Sequence, residues 1–209
     1  MIPRFGLYLF DVDGTLLDSA ADICAAIREA LAGTSHSQVA QEFLRGYIGR
    51  HLLDLFGELF PDFSQEQLDD LVRDYRTIYA ARGHRMTRVY AGVEEALASL
   101  GGRKSTATTK GTPTTRAILE QFRLLRYFDH VQGTDGFPSK PAPDVVLKSL
   151  EALGTPLEDC LLVGDSAADM EAGRRAGVRT CAFRHGYGDA LELARWEPDY
   201  WVSDLRELL

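Results

Sequence analysis

Apolar residues follow two kinds of pattern along this chain, one typical of buried strands and one typical of amphipathic helices. Short apolar runs such as LYLF (Leu7–Phe10) and CLLVG (Cys160–Gly164) predict strands that are covered on both faces. The stretches between such runs carry apolar residues three and four positions apart, which predicts helices. From Gly92 onward the two patterns alternate, which predicts an α/β fold with a doubly wound parallel sheet.

One long segment after the first predicted strand has no strand pattern. A helix that begins after Ser19 and ends near Gly33 has apolar residues along one face. HLLDLFGELF (51–60) predicts a second helix, and SQEQ at Ser64 predicts a capping box that starts a third. We therefore expect a separate helical domain inserted into an α/β core. The expected boundaries are residues 1–17 and 86–209 for the core and 18–85 for the helical domain.

The stretch GRKSTATTKG (102–111) is unusually polar for its place between two predicted helices, where the α/β pattern requires a strand. Threonine is β-branched and fits a pleated surface, so we expect a short strand over Lys104–Thr108. The next helix is expected to have Thr112 as its N-cap and Pro113 as its first residue. HVQG (130–133) is a further candidate for a short strand.

Composition narrows the class of protein without naming its chemistry. The chain has 209 residues, 45% of them hydrophobic, and a net charge of −8 with no run rich in lysine or arginine. This balance predicts a folded protein whose main partner is neither nucleic acid nor an anionic membrane. Three widely spaced cysteines favour reduced thiols, as in a cytoplasmic protein. We expect a monomer or a homodimer.

Polar side chains that suit one kind of chemistry follow four of the predicted strands. Because the carboxyl ends of parallel strands meet at one edge of a sheet, we expect these side chains to converge although they are far apart in sequence. They are Asp11 and Asp13; Thr108, Thr109 and Lys110; Lys140; and Asp165 and Asp169.

The residue types in this set point to phosphoryl transfer. Several carboxylates without histidine or cysteine suit a hard divalent ion, Mg²⁺ above all. A lysine beside them balances negative charge that develops during a reaction, and threonine hydroxyls near a helix N-terminus bind phosphate oxygens. Together these groups indicate phosphoryl transfer through an aspartyl-phosphate.

Four segments resemble, in order, the four motifs of the haloacid dehalogenase superfamily: FDVDGTLLDS, ATTKG, SKPAPD and LLVGDSAADMEAGRRAGV. The resemblance covers nearly the whole chain and implies a Rossmannoid core with an inserted helical cap of the first type. The closing stretch HGYGDALELARWEPDYWVSDLREL (185–208) is similar to the phosphoglycolate-phosphatase-like branch. This implies a Mg²⁺-dependent phosphatase that acts on a small phosphorylated metabolite.

The same resemblance implies a role for each acidic residue. Asp11 would be the nucleophile, and Asp13 the general acid that later serves as general base. Mg²⁺ would be held by Asp11, the backbone carbonyl of Asp13 and Asp165. Asp169 would lie at the metal site as well, or would orient Lys140, whose charge balances that of the phosphoryl group.

Further roles follow for the neighbouring polar residues. Thr108 or Thr109 would bind the phosphoryl group, and the spacing within the motif favours Thr108 for this role. Gly14 would permit the tight turn after the nucleophile, and Thr15 would brace the general acid. Arg50, in the helical insert, would reach the far end of the substrate.

Three other functions stay open at this level. A β-phosphoglucomutase-like phosphotransferase uses similar motifs. A receiver-like switch protein also combines Asp, Mg²⁺, Thr and Lys on a doubly wound sheet, but it lacks the second Asp of DxD and the helical insert. A non-catalytic protein that binds a phosphorylated ligand is the third possibility.

Overall fold

The computed structural model describes all 209 residues and is built around a five-stranded sheet with the order β4-β1-β5-β6-β7, in which every neighbouring pair is parallel. Two shorter strands, β2 and β3, form a separate antiparallel ribbon. The predicted α/β fold with a parallel sheet is thereby confirmed. The strands are β1 Leu7–Phe10, β2 Leu17–Asp18, β3 Arg88–Val89, β4 Arg103–Thr106, β5 Cys160–Gly164, β6 Arg179–Phe183 and β7 Tyr200–Val202.

Nine α-helices accompany these strands, and none is both long and apolar enough to cross a membrane. Three short 3₁₀ turns, at Leu125–Tyr127, Leu157–Asp159 and Leu205–Leu208, complete the regular structure. The helices are α1 Ala20–Ala30, α2 Gln41–Arg45, α3 Leu52–Leu59, α4 Gln65–Arg82, α5 Val93–Ser99, α6 Thr112–Gln121, α7 Asp144–Leu153, α8 Ala167–Ala176 and α9 Ala190–Arg195.

Strand β1 is buried along its whole length because helices cover both faces of the sheet. Tyr8 and Phe10 belong to the larger hydrophobic core, whereas Leu7 and Leu9, which point to the opposite face, belong to a second core. Alternate side chains of a strand point to opposite faces, so a continuous apolar run is what a doubly covered strand requires. The carboxyl end of β1 is thus held rigidly at the centre of the molecule.

Helices α1 to α4 form the segment between the two strands of the ribbon, with α1 and α3 packed on α4. The capping box at Ser64 is present, as predicted. The five-residue helix α2 escaped prediction because it buries only Leu44 and has no side-chain cap. Asp22 of α1 is buried and accepts hydrogen bonds from the Met86 amide and the Thr87 hydroxyl, which fastens α1 to the residues that directly precede β3.

The polar strand β4 exists, but it ends at Thr106 rather than at the predicted Thr108. It lies at the edge of the sheet, where backbone and side-chain polar groups can find partners other than a second strand. The Lys104 ammonium donates to the carbonyl of Leu100 at 2.7 Å, and Thr106 exchanges two hydrogen bonds of 2.9 Å with the backbone of Gln132. These contacts explain how so polar a strand is tolerated.

Two further predictions in this region are wrong. HVQG (130–133) is not a strand, because the Thr106 side chain occupies the hydrogen-bonding groups of Gln132 that a ladder would use. The N-cap of α6 is Gly111, and Thr112 is already in the helix. The Thr112 hydroxyl and amide bind Asp135 instead of capping the helix.

Candidate active site

The first element of the site is an ion pair at the carboxyl end of β1. The Asp11 amide donates to the Val163 carbonyl of β5 at 2.9 Å, which fixes the residue directly after the strand. The Lys140 ammonium lies 2.8 Å from Asp11 Oδ1 and 2.5 Å from Asp169 Oδ1. All three side chains are buried. Lys140 therefore joins the loop after β1 to helix α8.

Asp169 is oriented by the helix on which it lies. It forms a capping box with Ser166, whose amide and hydroxyl both donate to Asp169 Oδ2, at 3.0 and 2.5 Å. This leaves Asp169 Oδ1 directed at Lys140. A carboxylate in the first turn of a helix is also favoured by the helix dipole.

Asp165 follows β5 and is enclosed by two loops. Its Oδ1 accepts from the Thr15 hydroxyl and its Oδ2 from the Tyr187 amide, each at 2.8 Å. Thr15 therefore braces Asp165 and not Asp13, contrary to prediction. Gly14 has φ +92°, and a Cβ there would lie 2.2 Å from Asp165 Oδ2; one at Gly186 would lie 2.1 Å from the Asp165 Cβ. Only glycine lets both loops approach so closely.

The Asp13 side chain turns away from the other carboxylates. Its Oδ1 accepts from the Ser19 hydroxyl at 2.5 Å, and its Oδ2 lies 2.6 Å from the Lys110 ammonium. That ammonium is also 4.8 Å from the centre of the Tyr79 ring, a cation–π distance. Ser19 precedes α1 without capping it, so its hydroxyl is free to position Asp13.

The carboxylates of Asp11, Asp165 and Asp169, which form the acidic cluster of the site, are buried beside a single ammonium, that of Lys140. Burial raises the pKa of Asp11 to about 7, with Asp169 and Asp13 adding to the effect and Lys140 opposing it. Burial, together with Asp11 and Asp169, also raises the pKa of Asp165. Carboxylate oxygens of Asp11, Asp165 and Asp169 lie within 4.8 Å of one another. Asp11 Oδ2 is buried and has no hydrogen-bond partner.

A cavity of about 510 Å³ opens beside Asp13, between the helical segment and helix α6. Arg50 and Thr109 line it, as does Lys110, and the Arg50 guanidinium lies 4.4 Å from the centre of the Tyr47 ring. Thr108 is buried, accepts from the Lys110 amide at 3.3 Å, and makes no hydrogen bond to the acidic cluster. The two candidate threonines therefore occupy different surroundings.

Sequence reasoning assigned no role to three residues that contact this site, although it placed one of them, Lys110, among the side chains at the sheet edge. Ser19 and Lys110 hold Asp13, and the hydroxyl of Tyr187 lies 2.6 Å from the Ser19 amide and 2.9 Å from the Ala20 amide, at the start of α1. Lys110 carried the one available signal, since a lysine directly after the threonines had to end near the same sheet edge.

Comparison with known proteins identifies the family of this chain. The haloacid dehalogenase-like hydrolase family matches residues 8–183. The chain is 34% identical to a phosphoglycolate phosphatase of Aquifex aeolicus, over 96% of this chain and 93% of that protein. It is 33% identical to a phosphoglycolate phosphatase of Vibrio parahaemolyticus, over 97% of this chain and 94% of that protein.

A solved structure supports the same relationship. A haloacid dehalogenase-like family hydrolase from Streptococcus pneumoniae superposes with a TM-score of 0.87 at 25% identity, covering 98% of this chain and 96% of that one. The matched family spans most of the chain, and the relatives match it nearly end to end. The chain therefore belongs to the haloacid dehalogenase-like hydrolase family, and within it to the phosphoglycolate-phosphatase-like proteins.

Proposed function

We propose that this chain is a Mg²⁺-dependent phosphatase that hydrolyses a phosphomonoester through an aspartyl-phosphate on Asp11. One observation carries the proposal: Asp11 has one oxygen paired with Lys140, while the other is buried without a partner. An unpaired buried carboxylate oxygen is costly unless a ligand or a reaction uses it. The position of Asp11 at the end of the central strand is where a doubly wound sheet binds ligands.

The acidic cluster fits Mg²⁺. The donor set of Asp11, Asp165 and Asp169 consists of oxygens alone, and these carboxylates face only one ammonium, that of Lys140. We assign Asp11, Asp165 and the backbone carbonyl of Asp13 as ligands, with Asp169 beside them. When bound, Mg²⁺ supplies positive charge that reduces repulsion between the carboxylates and a phosphoryl group.

In the first step, a carboxylate oxygen of Asp11 attacks phosphorus while the bond from phosphorus to the alcohol oxygen breaks. Asp13 donates a proton to that leaving oxygen. The Lys140 ammonium opposes the rise in the pKa of Asp11 that burial causes, and Thr108 or Thr109 donates a hydrogen bond to a phosphoryl oxygen. The products are the free alcohol and the aspartyl-phosphate.

In the second step, Asp13 takes a proton from water, whose oxygen attacks phosphorus and releases phosphate and the Asp11 carboxylate. The Lys110 ammonium and the Ser19 hydroxyl hold the Asp13 side chain in position for this step.

We further propose that residues 18–85 act as a cap over residues 1–17 and 86–209. The ribbon of β2 and β3 connects the two parts, and the cavity lies between them. The names of the relatives make 2-phosphoglycolate the first substrate to test.

Steady-state phosphate release tests this proposal. We expect turnover of 2-phosphoglycolate that stops when EDTA removes Mg²⁺ and returns when Mg²⁺ is restored. The measurement is then repeated over a panel of phosphorylated metabolites and compared as kcat/KM. Absence of turnover with every phosphomonoester would contradict the proposal, whereas a different best substrate would change only the identity of the alcohol.

A further inference from the structure

The cavity lies on the leaving-group side of the proposed reaction. Asp13 is among the residues that line it, whereas Asp11 is not. Because Asp13 protonates the leaving oxygen in the proposed mechanism, the alcohol part of a bound substrate extends from Asp13 into this space. The shape and chemistry of the cavity walls therefore describe the alcohol that leaves.

The walls are partly apolar and partly aromatic. Eleven of the 24 lining residues are hydrophobic. Tyr75 and Tyr79 lie parallel, with ring centres 5.5 Å apart and an angle of 10° between their planes. Ile23 and Ile27 of α1 and Ile118 of α6 add aliphatic surface. Such surface gains free energy when it covers an apolar group and gains little from a two-carbon carboxylic acid.

The volume of the cavity also favours an alcohol larger than a two-carbon acid. About 510 Å³ is within the range of cavities that hold ring-containing organic ligands. A two-carbon acid leaves most of that space to water.

The charges on the walls limit the alcohol further. Asp13 is the one carboxylate among the lining residues, and Lys110 pairs with it. Arg50 and Arg76 lie on the cap side of the cavity. A cationic alcohol, such as one that bears an amine, would meet these positive charges without a free carboxylate to offset them.

We propose that the preferred substrate is a phosphomonoester of an apolar, ring-sized alcohol without positive charge, with its ring against Tyr75 and Tyr79. This inference rests on the proposed phosphatase function and specifies its substrate class. Burying a ring-sized apolar group favours binding by about 10- to 100-fold, so kcat/KM rises by that factor when the alcohol gains a ring.

The test compares ethyl phosphate with 2-phenylethyl phosphate. Both release a primary alcohol, so the chemical step is similar and the ring is the main difference. We expect kcat/KM for 2-phenylethyl phosphate to exceed that for ethyl phosphate by about 10-fold or more. A ratio within about twofold of one, with both esters and 2-phosphoglycolate turned over, overturns the inference and leaves the phosphatase function standing. Turnover of 2-phosphoglycolate alone also overturns the inference, and absence of turnover with every phosphomonoester overturns both proposals.

Two adjacent alanines near the end of α4 provide matched variants. Ala80 lines the cavity, whereas Ala81 does not, and both are exposed. Ala80→Trp fills part of the cavity, so we expect it to lower the ratio of the two kcat/KM values at least fivefold, while Ala81→Trp leaves the ratio unchanged. An unchanged ratio in Ala80→Trp, or an equal loss in Ala81→Trp, shows that the ring does not bind here and overturns the inference.

A second variant keeps the test possible if Ala80→Trp does not fold. Ala117 is exposed and lines the cavity from α6, on the opposite wall. If circular dichroism shows that Ala80→Trp is unfolded, Ala117→Trp replaces it with the same expected loss of ratio and the same contradicting result.

Discussion

Removing the Lys140 charge should destabilise the protein far more than removing a surface lysine. The Lys140 side chain is fully buried, and its ammonium pairs with both Asp11 and Asp169. Lys140→Met keeps an unbranched chain of similar length but leaves two buried carboxylates without their cation. The carboxylates cannot reach water, so the loss is not offset by solvation.

The size of the effect follows from that geometry. Breaking a buried ion pair by removing one partner costs about 3–5 kcal/mol of unfolding free energy. For a chain of this length, each kcal/mol lowers Tm by about 2–4 °C, so Lys140→Met should melt about 6–20 °C below the wild type.

Urea unfolding monitored by circular dichroism, in the absence of divalent metal, measures this difference. Lys148→Met is the matched control, because Lys148 is exposed and its ammonium lies over the ring of Phe137 rather than in an ion pair. We expect the control to change the unfolding free energy by less than about 0.5 kcal/mol.

Measuring the cost of Lys140→Met in an Asp11→Asn variant tests whether that cost comes from the ion pair. With one of the two carboxylates neutral, Lys140→Met should cost less than it does in the wild type. The reasoning is refuted if Lys140→Met is as stable as Lys148→Met, or if its cost is the same in the Asp11→Asn background.

Three further predictions concern residues around the site. His84 has φ 54°, and burial, aided by Lys110, lowers the pKa of its imidazole. The folded protein therefore favours neutral His84, and it loses stability as the pH falls below the unfolded pKa of about 6.5. Asparagine tolerates the same backbone conformation but does not titrate, so the Tm of His84→Asn minus that of the wild type should increase as the pH is lowered from 8 to 5. A Tm difference that does not change with pH would contradict this. Tyr187→Phe leaves the amides of Ser19 and Ala20 without their partner, so it should lower the unfolding free energy measured in urea by about 1–3 kcal/mol. Tyr200→Phe is the control, because the Tyr200 hydroxyl makes no hydrogen bond. Gly186→Ala forces Asp165 aside, so calorimetry should show Mg²⁺ binding at least tenfold weaker, and an unchanged affinity would argue against Asp165 as a ligand.

The sheet and the acidic edge of the site could be predicted because each depends on local sequence. Leu7–Phe10 is a continuous apolar run, and only a doubly covered strand accommodates one without exposing it. Asp11 and Asp165 directly follow such runs, so the parallel sheet had to bring them to one edge. The Ser64 capping box is local in the same sense, since four successive residues contain it.

The wrong or missing predictions involve contacts between distant segments. Residues 130–133 do not form a strand because the Thr106 side chain bonds to the backbone of Gln132, 26 residues away. Tyr187 meets the start of α1 from a loop more than 160 residues later. No periodicity in the sequence records such pairings, so local patterns could not reveal them.

The central claim is that Asp11 carries the phosphoryl group during turnover. Acid quenching of the enzyme during reaction with a phosphomonoester and Mg²⁺, followed by mass spectrometry of its peptides, tests this most directly. We predict one phosphoryl group on the peptide that contains Asp11, more of it in Asp13→Asn because water is no longer activated, and neither adduct nor turnover in Asp11→Asn. A phosphoryl group on another residue, or wild-type turnover by Asp11→Asn, would contradict the account.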